Sequence, residues 1–198
     1  MADKADLPVL EFDTPADWEQ WLTEHHGTAP GVWLKIGKRG PGQSAGPASV
    51  TYAEALEVAI CFGWIDGQKR KLDEEFWLQR FTPRRPGGRW SKINAEKATG
   101  LIEAGRMRAA GLREVEQARA DGRWDSAYAG QRTIVVPDDL REALAANAAA
   151  GAFFETLSGA NRYAILYRIG SVKRAETRAR KIAQYVAMLA EHETIHPQ

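Results

Sequence analysis

Residues 51–63, TYAEALEVAICFG, constrain this chain more than any other stretch. Thr51 followed three positions later by Glu54 forms a capping box, Val50 and Ala55 are spaced as its hydrophobic staple, and Gly63 is a C-terminal stop. The spacing predicts a helix over residues 52–62. Ala53, Ala55, Leu56, Val58, Ala59, Ile60, Cys61 and Phe62 make that helix apolar nearly all round, which is stable only if other elements cover most of its surface. The rest of the chain must therefore wrap it.

The flanking segments have the patterns to do so. Residues 64–72 and 75–81 alternate aliphatic or aromatic with charged residues around the turn-like Leu72-Asp73-Glu74-Glu75, predicting an antiparallel pair of strands. Trp77 and Phe81 then form the buried half of the second strand and the arginines its solvated half. Upstream, residues 7–12 suit a short strand. Thr14 caps a helix over 15–26 with Pro15 at its first position and with Trp18, Trp21 and Leu22 on one face. Residues 31–37 alternate as a strand. Four glycines and two prolines over 37–49 predict a loop, and although Gly37 and Gly42 have the spacing of a phosphate-binding loop, Gln43 stands where its lysine is required.

Downstream, Ser91 caps a helix over 92–104 with Ile93, Leu101 and Ile102 inward, and a second helix runs over 109–120. Beyond a link at 122–136 the alternation of strands ceases. Asp138 caps the first of four helices, over 139–146, 148–157, 161–169 and 175–191. The expected fold is α+β, with a small, mostly antiparallel sheet packed by helices, followed by a helical C-terminal subdomain. The domain limits read as 1–130 and 131–198.

A formal net charge of +1 gives no global drive toward nucleic acid or membrane, so either partner would need a local patch. One patch stands out: residues 64–92 hold eight Lys or Arg against four acids. No apolar run approaches the roughly 18 residues that span a bilayer, and MADKADLPVLEF lacks the apolar core of a signal peptide, so a cytoplasmic location is expected. A single cysteine, Cys61, excludes an internal disulfide and reads as a buried, inert thiol.

The strings GWIDG (63–67), RFTPRRPG (80–87) and WSKIN (90–94), with ETRARKI (176–182), resemble the YdeI/OmpD-associated, or bacteriocin-protection, family over nearly the whole chain. Ala175 stands where members usually have proline, and Gly151 where they have a bulkier residue. The resemblance implies a link to tolerance of antimicrobial peptides or bacteriocins, a form of stress response, and names no reaction.

Three function classes follow. The first is a non-enzymatic protein with an anion-binding loop. Arg84 and Arg85 sit between Pro83 and Pro86, and the amides at Ser91–Asn94 begin a helix whose positive end suits an anion. Trp64, Asp66, Arg80, Arg84, Arg85, Ser91, Lys92 and Asn94 are its candidate ligand-binding residues, and a phosphate or carboxylate on a small molecule or on a partner is the expected ligand. The second is an enzyme acting on a phosphorylated or carboxylated small molecule with Asp66 as base, although an ion pair of Asp66 with Arg80 or Arg84 is the simpler reading. The third, a nucleic-acid-binding module, would interleave Trp64, Trp77 and Trp90 with the arginines. No cofactor or metal is expected. His192-Glu193-Thr194-Ile195-His196 formally matches a zinc motif, but Pro197 follows at once and no third ligand remains downstream.

Overall fold

The structure, a computed structural model, describes residues 7–38 and 48–198. Residues 39–47, most of the loop predicted over 37–49, lie outside them. Among the described residues, eight helices and a four-stranded sheet form an α+β protein of two compact units, Met1–Ala127 and Tyr128–Gln198.

In the first unit the organising helix is α2, Tyr52–Cys61, with both halves of the Thr51/Glu54 capping box formed and Gly63 at φ 74° just past its end. Ala55, Leu56, Val58, Ala59, Ile60 and Cys61 are all buried. Three helices and one face of the sheet cover it. Helix α1, Pro15–His25, is capped by Thr14 and lays Trp18 against it, the indole N–H donating to the Ala55 carbonyl at 3.1 Å. Helix α3, Lys92–Glu103, and helix α4, Ala109–Ala120, close the other sides, α4 through Gly111. Ile93, expected to face inward on α3, is half exposed, and Asn94, Ala95, Ala98 and Leu101 are buried instead.

The sheet runs β1 (Val9–Leu10), β2 (Val32–Gly37), β4 (Phe76–Pro83), β3 (Trp64–Lys71), with β1 and β2 parallel and the other pairs antiparallel. It is therefore mixed. Asp73 makes the β3–β4 turn by accepting the amides of Glu75 and Phe76 at 2.8 and 2.7 Å, which hold its carboxyl below the usual range. Val32, Leu34, Ile36 and Phe81 point at the helices, Phe81 lying 5.8 Å from the Trp18 ring. Alternation sends Trp33, Leu78, Arg80 and Thr82 to the opposite face, where the Arg70 guanidinium lies 4.1 Å over the Trp33 ring. Between Asp66 and Lys69 the register shifts, and the buried Gln79 amide fills the irregularity by donating to the carbonyls of Gly67 and Gln68.

The second unit consists of α5 (Asp138–Ala145), α6 (Ala148–Thr156), α7 (Gly159–Gly170) and α8 (Ala175–Ala190) around Leu140, Phe154, Ile165, Ile169 and Leu189. Asp138 is the first residue of α5 and the cap position falls to Pro137. Gly151 lets α6 pass close to α5, since a Cβ there would sit 3.0 Å from the Leu144 carbonyl. Arg178 ties three helices together. Its Nε and one terminal nitrogen donate to Asp139 at 2.6 and 2.9 Å, and the other donates to the Ile169 carbonyl at 3.0 Å. These bonds hold the Asp139 carboxyl below its ordinary range.

The stretch carrying the zinc-like motif leaves the helix at Glu191, and His192 adopts φ 57°, so the two histidines lack the one-turn spacing on a helix that zinc binding needs. It is also better anchored than a fraying end. Asn161, 1% exposed, accepts the His196 amide and donates to the His196 carbonyl and the Gln198 side chain, while Ile195 packs on the core.

Candidate functional site

The segment from Pro83 to Trp90 is shaped by local chemistry. Pro86 at the second position and Gly87 at the third, with φ 72° and an Arg85 carbonyl accepting the Gly88 amide at 2.8 Å, make a type II turn. One end is held by the Arg84 amide donating to the Gly63 carbonyl at 3.0 Å. The other is held by Arg123, whose guanidinium donates to the Gly88 carbonyl at 2.8 Å. The Arg84 guanidinium lies 3.4 Å over the Trp90 ring, which in turn packs 5.0 Å from Trp124.

This turn stands beside the outer face of the sheet, and the two enclose a cleft of about 490 Å³. Ile65, Gly67, Arg80 and Thr82 form its floor, Arg84, Arg85, Pro86, Gly88 and Arg89 its wall, with Pro30 and Pro83 at the margin. Among the described residues, four arginines line it and no carboxylate, imidazole or thiol does. Arg80 is the central one: its Nε is buried without a hydrogen-bond partner, and no ion pair engages it among the described residues.

The predicted site residues divide. Arg80, Arg84 and Arg85 meet in the cleft, joined by Arg89, which the sequence reading placed in the basic patch but not among the ligand-binding residues. Ser91, Lys92 and Asn94 do not line it: the Ser91 hydroxyl is spent on the Asn94 amide at 3.2 Å, Asn94 is buried and Lys92 is exposed. Trp64 is a core residue, 1% exposed, donating to the His26 carbonyl at 3.1 Å. Asp66 forms neither expected ion pair. It is the register partner of Phe81 and shares that residue's face, where it accepts the Tyr52 hydroxyl at 2.9 Å. Burial, then the Asp66 charge, push the Tyr52 hydroxyl far up. A base at Asp66 and a clamp at Arg80 thus stand on opposite faces of one sheet.

Pro30, Ile65 and Thr82 were missed altogether. For Ile65 and Thr82 the period-two alternation of strands was the only signal, since it puts Thr82 on the side of Arg80 and away from Phe81, and Pro30, outside the strands, had none. Elsewhere, Cys61 is a buried thiol whose pKa burial raises. Among the described residues there is no cluster of His, Cys, Asp and Glu fit to hold a metal, and no helix is long and apolar enough to cross a membrane. In the second unit a larger concavity of about 640 Å³ runs between α5 and α8, lined mainly by alanines with Ile182 and Val186.

Fold and site together define an α+β unit with an arginine-lined cleft, followed in the chain by a helical unit. By a match over residues 10–114, just over half of the chain, it belongs to the family described as Domain of unknown function (DUF8412). Residues 133–192 match the family described as Bacteriocin-protection, YdeI or OmpD-Associated, and the second unit is of that type. No curated protein and no solved structure matches the chain.

Proposed function

We propose that the first unit binds an anionic ligand in the arginine cleft, and that the protein acts by binding rather than turnover, in the cytoplasm, in tolerance of antimicrobial peptides or bacteriocins. Arg80 carries the binding reading. A buried N–H without a partner costs about 1–3 kcal/mol, and because Arg80 also lines the cleft, an acceptor entering there is placed to engage the same guanidinium. Arg85 points the same way, being exposed on the cleft wall and without an ion pair among the described residues. The tolerance role rests on the family matched at residues 133–192.

The enzyme reading loses its base, because Asp66 and the arginines lie on different faces. The nucleic-acid reading loses two of its three tryptophans, because Trp64 and Trp90 are buried and Arg84 covers the Trp90 ring, which leaves only the partly exposed Trp77 beside Lys69, Arg70 and Lys71. The test is calorimetric titration of the protein with inorganic phosphate, sulfate and acetate. At least one should bind the wild type, and the Arg80→Ala/Arg85→Ala variant should bind it at least about tenfold more weakly, the loss expected from two charge-assisted contacts. Equal affinity of the two proteins for every anion refutes the site.

A further inference from the structure

Building on that reading, we propose that the cleft selects the dianion of a phosphate monoester carried by a small molecule, over a carboxylate and over a phosphodiester. The argument starts from charge. Arg80 on the floor and Arg85 on the wall each lack an acidic partner among the described residues, so the cleft presents two positive charges that those residues do not neutralise. One carboxylate, with a single charge and two oxygens, satisfies one guanidinium in a bidentate pair and leaves the other uncompensated. A phosphate monoester carries close to two negative charges at neutral pH and has three strong acceptor oxygens, enough for two guanidiniums and the Thr82 hydroxyl beside Arg80. A phosphodiester has one charge and two free oxygens, and falls short as the carboxylate does.

Shape narrows the ligand further. The cleft encloses about 490 Å³, within the range of small-molecule sites and well beyond one phosphate group, so an organic portion has room. Ile65, Pro30, Pro83 and Pro86 offer that portion apolar walls and no aromatic face, which disfavours a nucleobase. The floor is preorganised. Arg80 lies on a strand hydrogen-bonded on both sides, to β2 and β3, and Arg85 opens a turn fixed by Pro86 and Gly87, so little ordering accompanies binding.

The experiment titrates the full chain with methyl phosphate, dimethyl phosphate, acetate and sulfate at about pH 5 and 8, bracketing the second ionisation of a phosphate monoester near 6. Among the described residues the charged groups facing the cleft are all guanidiniums, those of Arg80, Arg84, Arg85 and Arg89. Methyl phosphate should bind about tenfold more tightly at the higher pH, following its dianion fraction, whereas sulfate, a dianion across the window, should not change. Dimethyl phosphate and acetate should bind at least about tenfold more weakly than methyl phosphate at the higher pH. Equal affinity for the four anions, or methyl phosphate binding that ignores pH, overturns the selectivity while leaving an anion site standing. Absence of binding by every anion overturns the site itself. An Arg85→Ala variant, which removes one of the two charges, should lose the preference for methyl phosphate over acetate, and an unaltered preference counts against the two-guanidinium geometry.

Discussion

Helix α4 meets α2 backbone to backbone at Gly111, and the consequence of adding one methyl group there can be worked out from the geometry. A Cβ on Gly111 would lie 2.3 Å from the Cys61 carbonyl oxygen and 2.7 Å from that of Ile60. Carbon and carbonyl oxygen settle at about 3.3–3.6 Å, so α4 has to retreat by about 1 Å. That retreat strains the Arg108 amide's hydrogen bond to the same Cys61 oxygen, now 3.0 Å, and opens a gap along a packed seam. Overpacking of about 1–3 kcal/mol and a weakened hydrogen bond of about 0.5–1.5 kcal/mol outweigh the roughly 1 kcal/mol by which alanine favours a helix, leaving Gly111→Ala destabilising by about 2 kcal/mol. Gly100, in α3, has nothing within 4 Å of the same position, so Gly100→Ala should stabilise by about 0.5–1 kcal/mol. Urea unfolding followed by tryptophan fluorescence reads this unit selectively, because all seven tryptophans lie within Met1–Ala127. Opposite signs for the two substitutions are expected. Gly111→Ala as stable as the wild type, or more so, would refute the close approach of α4 to α2.

Gly87→Ala should cost about 1–2 kcal/mol, since a side chain at φ 72° is strained, and should weaken anion binding by loosening the turn; unchanged binding and stability would argue against the type II turn. Asp139, held below its usual range by Arg178, stabilises the second unit above the unfolded carboxylate value near about 4 and loses that contribution as pH falls through its depressed folded value. Because it is nearly half exposed, Asp139→Asn should cost only ~0.5–1 kcal/mol at neutral pH, and the difference from wild type should vanish in acid, as far-ultraviolet circular dichroism against pH would register. Removing residues 192–198 strips Asn161 of three hydrogen bonds and should destabilise the second unit by about 1–3 kcal/mol, checked by its melting curve; an unshifted melt would mean the stretch is dispensable.

Local chemistry made much of this fold legible. The capping residues, proline positions and stop glycines placed the helices to within a residue or two, and the alternation of residues 64–81 gave the hairpin. What the sequence left open was which groups meet. Thr51 and Glu54 announce a helix start because their partners are three residues away, whereas Tyr52 claims Asp66 from 14 positions off and Arg178 claims Asp139 from 39, distances at which no spacing rule operates. Periodicity also misjudged Ile93, since it assigns an apolar residue to the core by type while the packing of Ala95, Ala98 and Leu101 fixes how α3 is rotated. The arginines of the candidate site were visible as a patch. Their grouping needed the parity of β4 and the turn at Pro86 and Gly87 together, and the helix start at Ser91, the more familiar anion-binding feature, drew attention one turn too far along.

The order of the sheet leaves β1 and β3 at its two rims, and each rim is built in a way that discourages a second chain from adding to it. β1 is only two residues long. β3 is eight residues long, but its register breaks between Asp66 and Lys69, and beyond the break it presents Lys69, Arg70 and Lys71 to solvent. A short strand, a local kink and a row of like charges are the devices by which exposed strands avoid templating aggregates. The basic run that first suggested a ligand therefore has a second effect at its β3 end. Antiparallel pairing of a second copy about Arg70 would set Lys69 against Lys71 and Arg70 against Arg70, and that repulsion discourages growth at this rim.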